Sequence, residues 1–159
     1  MSLPTRILVP TDFSDGASVA EEYASALAAA LGARLHVLHV IPDPPLAEVL
    51  GADAVPELIE RTEREVRRRL ESWSFSGDRR RLGVAADVAT GLPDATIVQY
   101  ADASGVDLIV IGRCGHSGPK PAQLGHVAVG VLQKARCPVL AVDGRVRGAR
   151  MPQLASAPS

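Results

Sequence analysis

Five short stretches rich in apolar and β-branched residues alternate with longer stretches in which apolar residues recur every three or four positions. The short stretches are Ile7 to Val9, Arg34 to Ile41, about Leu82 to Ala89, Leu108 to Ile111 and Val139 to Val142. Apolar runs are typical of parallel strands, and the intervening spacing is typical of amphipathic helices. The alternation predicts an α/β fold: a single open five-stranded parallel sheet with helices on both faces. We expect strands one, four and five to form its most apolar part, because their runs lack polar residues.

The first helix is predicted between Ser14 and Gly32. Ser14 is a favourable N-cap, and Gly32 suits the left-handed conformation that often ends a helix. The apolar residues at helical spacing are Ala17, Ala20, Ala24, Leu27, Ala28 and Leu31. The polar residues that we expect to face away from the core are Ser18, Glu21, Glu22 and Ser25.

The stretch from Asp107 to Val142 carries the most specific pattern. A buried strand is followed by Gly112 and Gly115, and a polar loop then runs to Gly125, where a helical pattern begins. Glycines let backbone N–H groups approach an anion closely, and a helix N-terminus adds unpaired donors and partial positive charge. The pattern therefore predicts a phosphate-binding loop. The residues expected on the inner stripe of its helix are Val127, Ala128, Val131, Leu132 and Ala135.

The glycine spacing Gly-x2-Gly-x9-Gly, set between an Asp-Leu-Ile-Val-Ile strand and an Arg-Cys-Pro-Val-Leu segment, resembles the universal stress protein family. The segment from Ile7 to Asp12 is similar to the opening strand of that family and the aspartate that follows it. The resemblance extends from about Thr5 to Val142 and implies a Rossmann-like sheet of the universal stress protein type. One position departs from the pattern, because His126 stands where ATP-binding members have Ser or Thr.

Ligands of open α/β sheets bind beyond the carboxyl ends of the strands, where the strand order reverses. In the family that this chain resembles, the first and fourth strands meet there, so Asp12 and Gly112 should line one crevice. The resemblance implies that Asp12 reaches an adenine, that Val40 packs near it and that the glycine loop holds the phosphates. The implied ligand is ATP or another adenine nucleotide, with Mg²⁺ accompanying the nucleotide. The expected nucleotide-binding residues are Pro10, Thr11, Asp12, Val40, Ile111, Gly112, Arg113, Gly115, Gly125, His126 and Val127.

Each of these residues also has a purely structural interpretation. Asp12 could cap the turn before the first helix, and the glycines could serve only the turns of the loop. Arg113, His116 and Lys120 could neutralise phosphate or could be bystanders on an exposed loop. Cys114 is expected to be an inert small residue, because no basic or second thiol partner is evident for it.

The composition excludes several functional classes. A net charge of −1 gives no bulk attraction to nucleic acid or anionic membranes, and 3% aromatic residues provide no base-stacking surface. No apolar run approaches the roughly 20 residues of a membrane span, and the N-terminus lacks the features of a signal peptide. The two cysteines form no disulfide framework or metal spacing, which suits a reducing compartment. We therefore expect a cytoplasmic domain at residues 1–143, followed by a mobile tail at residues 144–159.

The sequence offers no catalytic constellation. It contains no evident nucleophile–base pair and no second acid near Asp12, and a metal site from Cys114, His116 and His126 matches no common spacing. We expect no enzyme activity beyond slow ATP hydrolysis. A phosphoacceptor response regulator is excluded, because the segments after strands one, three and five lack its paired acids, aspartate and lysine. The remaining alternative is a stress protein without a nucleotide, acting through its dimer surface or an unknown protein partner.

Two further expectations concern affinity and assembly. His126, Val127 and Ala128 supply no hydroxyl at the start of the helix, so ATP should bind weakly at neutral pH and more tightly when the imidazole is protonated. In the usual order of the family, the last strand, Val139 to Val142, lies at an edge of the sheet. It carries no charge, so we expect a homodimer through this edge.

Overall fold

The sheet consists of five parallel strands, and its helices cover both faces. The computed structural model describes residues 2–42, 54–74, 77–114 and 123–144. The strands are β1 (Arg6–Pro10), β2 (Arg34–Ile41), β3 (Ala85–Thr90), β4 (Leu108–Gly112) and β5 (Val139–Val142), in the spatial order β3-β2-β1-β4-β5. All neighbouring strands pair in parallel, so the predicted fold class is confirmed.

Two pairs of helices enclose the sheet. The helices are α1 (Asp15–Leu31), α2 (Ala54–Ser74), α3 (Pro93–Ala103) and α4 (His126–Lys134), and a 3-10 helix spans Gly77–Leu82. One face of the sheet packs against Ala20 and Ala24 of α1 and against Leu70 of α2. The other face packs against Ile97 of α3 and Val131 of α4. None of the helices within the described ranges is long and apolar enough to cross a membrane.

The caps predicted for the first helix are present. The Ser14 Oγ accepts a hydrogen bond from the Ala17 N–H at 3.2 Å, which satisfies one of the donors that every helix leaves unpaired at its start. Gly32 has a φ of 66°, a left-handed conformation that residues with a side chain rarely adopt. Ser14 thus fixes where α1 begins, after the short loop that follows β1, and Gly32 fixes where it ends.

The strand order reverses between β1 and β4. The chain builds β2 and β3 on one side of β1 and then crosses to build β4 and β5 on the other side. Asp107 helps to fix this junction at the opposite ends of the strands, because its carboxylate accepts hydrogen bonds from the backbone N–H groups of Thr5 and Arg6. The loops that follow β1 and β4 therefore emerge side by side.

The expectation that Glu21 faces away from the core is wrong. Its exposed fraction is 5%, and its carboxylate accepts a hydrogen bond from the hydroxyl of Thr11. A helical pattern shows only which positions share a face. It could not show that the loop after β1 places a hydroxyl above this position, so that a polar residue is buried with a partner.

Three smaller expectations also differ from the structure. The last strand does not lie in the most apolar part of the sheet, because it is the edge strand and Val139, Leu140 and Ala141 remain partly exposed. Two residues expected on the inner stripe of α4 are exposed, Val127 at 37% and Leu132 at 43%. The third strand begins at Ala85 rather than near Leu82, because the preceding residues form the 3-10 helix. In each case a local apolar pattern could not reveal which neighbours cover a residue.

Candidate functional site

A crevice of about 570 Å³ opens at the carboxyl ends of the strands, between the loop after β1 and the loop after β4. Its volume lies within the range typical of small-molecule sites. We call this cavity the crevice. It is lined by Pro10, Thr11, Asp12, Ser14, Ala17, Leu38, His39, Val40, Pro42, Pro93, Ile97, Ile111, Gly112, Arg113, Cys114, Gln123, Leu124, Gly125, His126, Val127 and Ala128.

The crevice brings together the residues that the sequence pattern and the family resemblance selected. The predicted site residues that line it are Pro10, Thr11, Asp12, Val40, Ile111, Gly112, Arg113, Gly125, His126 and Val127. Gly115, the remaining predicted site residue, lies outside the described residues, as do His116 and Lys120. The residues come from elements distant in the sequence, and their convergence follows from the pairing of β1 with β4.

Thr11 fixes the loop after β1 through several hydrogen bonds. Its N–H donates to the Leu38 carbonyl oxygen at 2.8 Å, and its Oγ1 accepts from the Phe13 N–H at 3.0 Å. The Asp12 Oδ1 accepts from the Ser14 N–H at 2.9 Å, so the carboxylate does close the turn before α1. Asp12 also lines the crevice, so its structural role and its predicted ligand role are compatible.

Glu21 lies behind this loop and supports it from the core. Burial raises the pKa of its carboxyl, and hydrogen bonds from Thr11 and Trp73 oppose that shift only in part. Phe13 adopts a φ of 60°, which is uncommon for a residue with a side chain and costs on the order of 1–3 kcal/mol. The loop is therefore held in a strained conformation by contacts that include a buried acid.

His39 lines the crevice beside the same loop. Its Nδ1 lies 2.8 Å from the Thr11 carbonyl oxygen, which can only accept, so Nδ1 carries the proton. The imidazole stacks on the Phe13 ring, with the two ring centroids 4.8 Å apart. The guanidinium carbon of Arg69 lies 4.0 Å from the centroid of the same Phe13 ring. Burial lowers the pKa of His39, and the bond to Thr11 opposes that shift in part. A neutral His39 at pH 7 therefore contributes shape rather than charge.

Two glycines allow α1 and the loop after β4 to approach closely. A Cβ atom at Gly16 would lie 2.2 Å from the Cys114 carbonyl oxygen, and one at Gly112 would lie 2.8 Å from the Gly16 carbonyl oxygen. These are backbone atoms, which cannot rotate away as a side chain can. The narrow junction between α1 and the loop after β4 therefore requires glycine at both positions.

The start of α4 forms the far end of the crevice. Gly125 is its N-cap and provides no side-chain hydrogen bond, and its N–H donates to the Arg113 carbonyl oxygen at 2.8 Å. His126 and Val127 are exposed on the first turn. Backbone N–H groups at a helix start attract anions, so this end suits phosphate even though His126, Val127 and Ala128 bring no hydroxyl.

The Arg113 guanidinium contacts protein groups at this end. Its Nε lies 3.2 Å from the Asp143 Oδ2, and one terminal nitrogen donates to the Gln123 carbonyl oxygen at 3.2 Å. The Cys114 thiol donates to the same carbonyl oxygen at 3.4 Å. Among the residues that the structure describes, no group of three His, Cys, Asp or Glu side chains could hold a metal ion.

Sequence reasoning overlooked three residues that shape the crevice. The helical pattern predicts Glu21 on the solvent face, and the site residues expected from the sequence include neither His39 nor Gly16. The sequence held a weak signal for Gly16, because glycine is unfavourable inside a helix by about 1 kcal/mol relative to alanine and so indicates a close contact. It held no comparable signal for Glu21.

The family of this chain is shown by its match to a protein-family model. The model described as the universal stress protein family matches residues 4–143. The chain belongs to the universal stress protein family. It is similar to the universal stress protein MJ0531 of Methanocaldococcus jannaschii, at 30% identity over 89% of this chain and 83% of that protein.

Solved structures of universal stress proteins share the fold. The structure of MJ0577, a universal stress protein of Methanocaldococcus jannaschii, superposes with a TM-score of 0.76 at 29% identity, over 87% of this chain and 95% of that one. A universal stress protein in complex with cAMP superposes with a TM-score of 0.58 at 24% identity, over 90% of this chain and 99% of that one. The latter likeness concerns the fold alone.

Proposed function

We propose that this universal stress protein binds an adenine nucleotide in the crevice and acts as a cytoplasmic stress-response module. The observation that carries the proposal is the convergence, in one cavity of about 570 Å³, of an acidic loop, an apolar wall and a helix N-terminus. These features match the parts of a nucleotide in order. The acid suits the amino group of a base, the apolar wall suits its ring, and the helix start suits phosphate.

The base is expected at the β1 side of the crevice. Asp12 provides a carboxylate that can accept a hydrogen bond from an exocyclic amino group. Val40 and Ile111 are the penultimate residues of β2 and β4, the strands on either side of β1, and form apolar walls against which a flat ring can pack. The network around Thr11 holds Asp12 in place before a ligand arrives, which reduces the entropy lost on binding.

The phosphates are expected at the start of α4, with Mg²⁺ accompanying the nucleotide. His126 replaces the hydroxyl side chain of the ATP-binding relatives that the sequence resembles. Each absent hydrogen bond to a charged group weakens binding by about 1.5–3 kcal/mol, which is tenfold or more in affinity. ATP should therefore bind weakly at neutral pH, and more tightly where a protonated imidazole adds positive charge beside the phosphates.

We propose no catalytic activity for the protein beyond slow ATP hydrolysis. Within the described lining of the crevice, the residues that could take acid–base roles include Asp12 and His39. The Asp12 carboxylate is engaged in its turn, and His39 Nδ1 is bonded to Thr11. A module that binds a nucleotide and signals through its surface fits this arrangement better than a rapid hydrolase does.

Calorimetry with ATP at pH 7.5 and pH 6.0 tests the proposal. We expect weak binding at pH 7.5, tighter binding at pH 6.0, and a gain of about tenfold at pH 7.5 for His126→Ser. Gln133→Ser, an exposed change further along the same helix, is the matched control and should leave both affinities unchanged. Absence of adenine-nucleotide binding by both the natural protein and the variant would refute the proposed function.

We also propose that two copies pair through β5. This strand lies at an edge of the sheet, its residues carry no charge, and three of its four residues are partly exposed. An uncharged exposed edge readily adds a strand from another chain. The same edge supports the alternative function, in which the protein acts through its dimer surface or a protein partner without a nucleotide.

A further inference from the structure

The ring of Phe13 contacts two side chains that come from other elements of the fold. His39 of β2 stacks on this ring, with the ring centroids 4.8 Å apart and an angle of 23° between the planes. The guanidinium carbon of Arg69, on α2, lies 4.0 Å from the centroid of the same ring, which is a favourable cation–π distance. We call these three side chains the Phe13 stack. The stack joins the loop after β1 to both β2 and α2.

The stack holds both chain neighbours of Asp12. On one side, the Thr11 carbonyl oxygen accepts a hydrogen bond from the His39 Nδ1 at 2.8 Å. On the other side, Phe13 has a φ of 60°, a conformation that a residue with a side chain keeps only where its surroundings hold it. Its N–H donates to the Thr11 Oγ1 at 3.0 Å, and its ring packs against His39. His39 therefore contacts the turn twice, once before Asp12 and once after it.

The direction of the Asp12 carboxylate depends on this turn. Its Oδ1 accepts from the Ser14 N–H at 2.9 Å, so the carboxylate is tied to the backbone that the stack holds. Asp12 lines the crevice at the end where the base is expected. A carboxylate accepts hydrogen bonds and does not donate them, so it can pair with an amino group of the base but not with a ring position that has no N–H. A small displacement of the carboxylate would lengthen that hydrogen bond and weaken it steeply.

We propose that the Phe13 stack positions Asp12 and thereby gives the crevice its preference for bases that carry an exocyclic amino group. Phe13, His39 and Arg69 are positioning residues in this inference, because they act on the ligand through the Asp12 carboxylate. The inference rests on the proposed function. It names the side chains that set the choice of base, and all of them lie at the β1 side of the crevice, within the described residues.

The test compares two ligands by calorimetry, AMP and the monophosphate of purine riboside, which is AMP without its amino group. The ligands share their sugar and phosphate, so the contribution of the phosphate end cancels in the ratio of their affinities. We expect the natural protein to bind AMP about tenfold more tightly, because the bond to a charged carboxylate is lost with the amino group. We call this ratio the amino preference.

Two variants remove the contacts of the Phe13 ring. Phe13→Leu keeps an apolar side chain without an aromatic ring, and it should lower the amino preference to about twofold. Arg69→Met keeps most of the side-chain length without the cation, and it should lower the preference by about two- to threefold. Arg68→Met is the matched control, because Arg68 is also exposed on α2, and it should leave the preference unchanged.

A second pair of variants separates the two contacts of His39. His39→Asn retains an N–H donor for the Thr11 carbonyl oxygen but lacks the ring, whereas His39→Phe retains a ring but lacks the donor. Each should lower the amino preference by about threefold. Because His39 also lines the crevice, either change can weaken both ligands, but an effect common to both ligands cancels in the ratio.

The outcomes distinguish positioning from support of the fold. If the stack only stabilised the protein, the variants would lower the melting temperature or weaken both ligands alike, and the amino preference would stay constant. That result, or a natural protein that binds both ligands equally, would overturn the inference and leave nucleotide binding intact. If Phe13→Leu does not fold, the exposed Arg69→Met decides the question. If neither AMP nor ATP binds the natural protein, the proposed function and this inference both fail.

Discussion

Replacing Gly16 with alanine tests whether the contact between α1 and the loop after β4 is as close as the structure shows. Gly16 lies in the first turn of α1, where alanine would normally stabilise a helix by about 1 kcal/mol. Here the new Cβ would lie 2.2 Å from the Cys114 carbonyl oxygen, whereas ordinary van der Waals contact begins at 3.4 Å. The two backbones would have to separate by about 1.2 Å, the difference between these distances.

The expected result is a destabilised protein with a widened crevice. Overpacking of this kind costs typically 1–3 kcal/mol, enough to cancel the helical gain or exceed it. For a chain of this size each kcal/mol lowers the melting temperature by about 2–4 °C. Because Cys114 lies in the glycine loop, the change should also weaken nucleotide binding. Thermal unfolding measures the change in stability, and calorimetry with AMP measures the change in binding.

Gly32→Ala provides the control for Gly16→Ala. Nothing lies within 4 Å of a Cβ at Gly32, so the cost there comes from its φ of 66° alone. This variant should lose stability while binding AMP like the natural protein. If Gly16→Ala is more stable than the natural protein and binds AMP normally, the close contact and the reasoning from it are wrong.

Two further predictions concern the support of the loop and the edge of the sheet. Glu21→Gln should be more stable than the natural protein at pH 7. The pKa of Glu21 is raised by burial, so folding is favoured when the carboxyl is protonated, and the protein loses that stability as the pH rises above 4.5, the ordinary pKa of the group. Urea unfolding at pH 4.5 and pH 7 compares the free energies of unfolding of the two proteins. A difference in favour of the variant that does not grow with pH would contradict this prediction. Val139→Lys should separate the proposed homodimer by placing a charge on β5, which light scattering at tens of micromolar measures; a monomeric natural protein would refute the pairing.

The sheet could be predicted from the sequence because its strands differ clearly in pattern from its helices. Residues 34–41 and 139–142 form strands with the predicted bounds, and Ser14 and Gly32 cap α1 as expected. These features depend on local chemistry, such as side-chain capping, left-handed backbone and runs of branched residues. The position of the crevice followed from the topological rule that ligands bind where the strand order reverses.

The features that the sequence could not reveal depend on contacts between distant segments. The burial of Glu21 depends on the hydroxyl of Thr11, and the pairing of Arg113 depends on β4 lying beside β5. The exposure of Leu132 depends on which surface α4 turns towards the sheet. A charge or an apolar side chain has the same local pattern whether it meets a partner or solvent. The domain bounds at residues 1–143, the mobile tail, the homodimer and the cytoplasmic location remain predictions.

Backbone amide NMR of the natural protein, titrated with AMP and separately with ATP, tests nucleotide binding in the crevice most directly. The proposed function predicts that at least one nucleotide shifts the amide signals of Thr11, Gly112, Gly125 and His126 together, because these residues line one cavity although they lie far apart in the sequence. Amides on the exposed face of α2, such as that of Arg67, should not move. Signals that stay unchanged with both nucleotides, or that shift on α2 instead of the crevice, would contradict it.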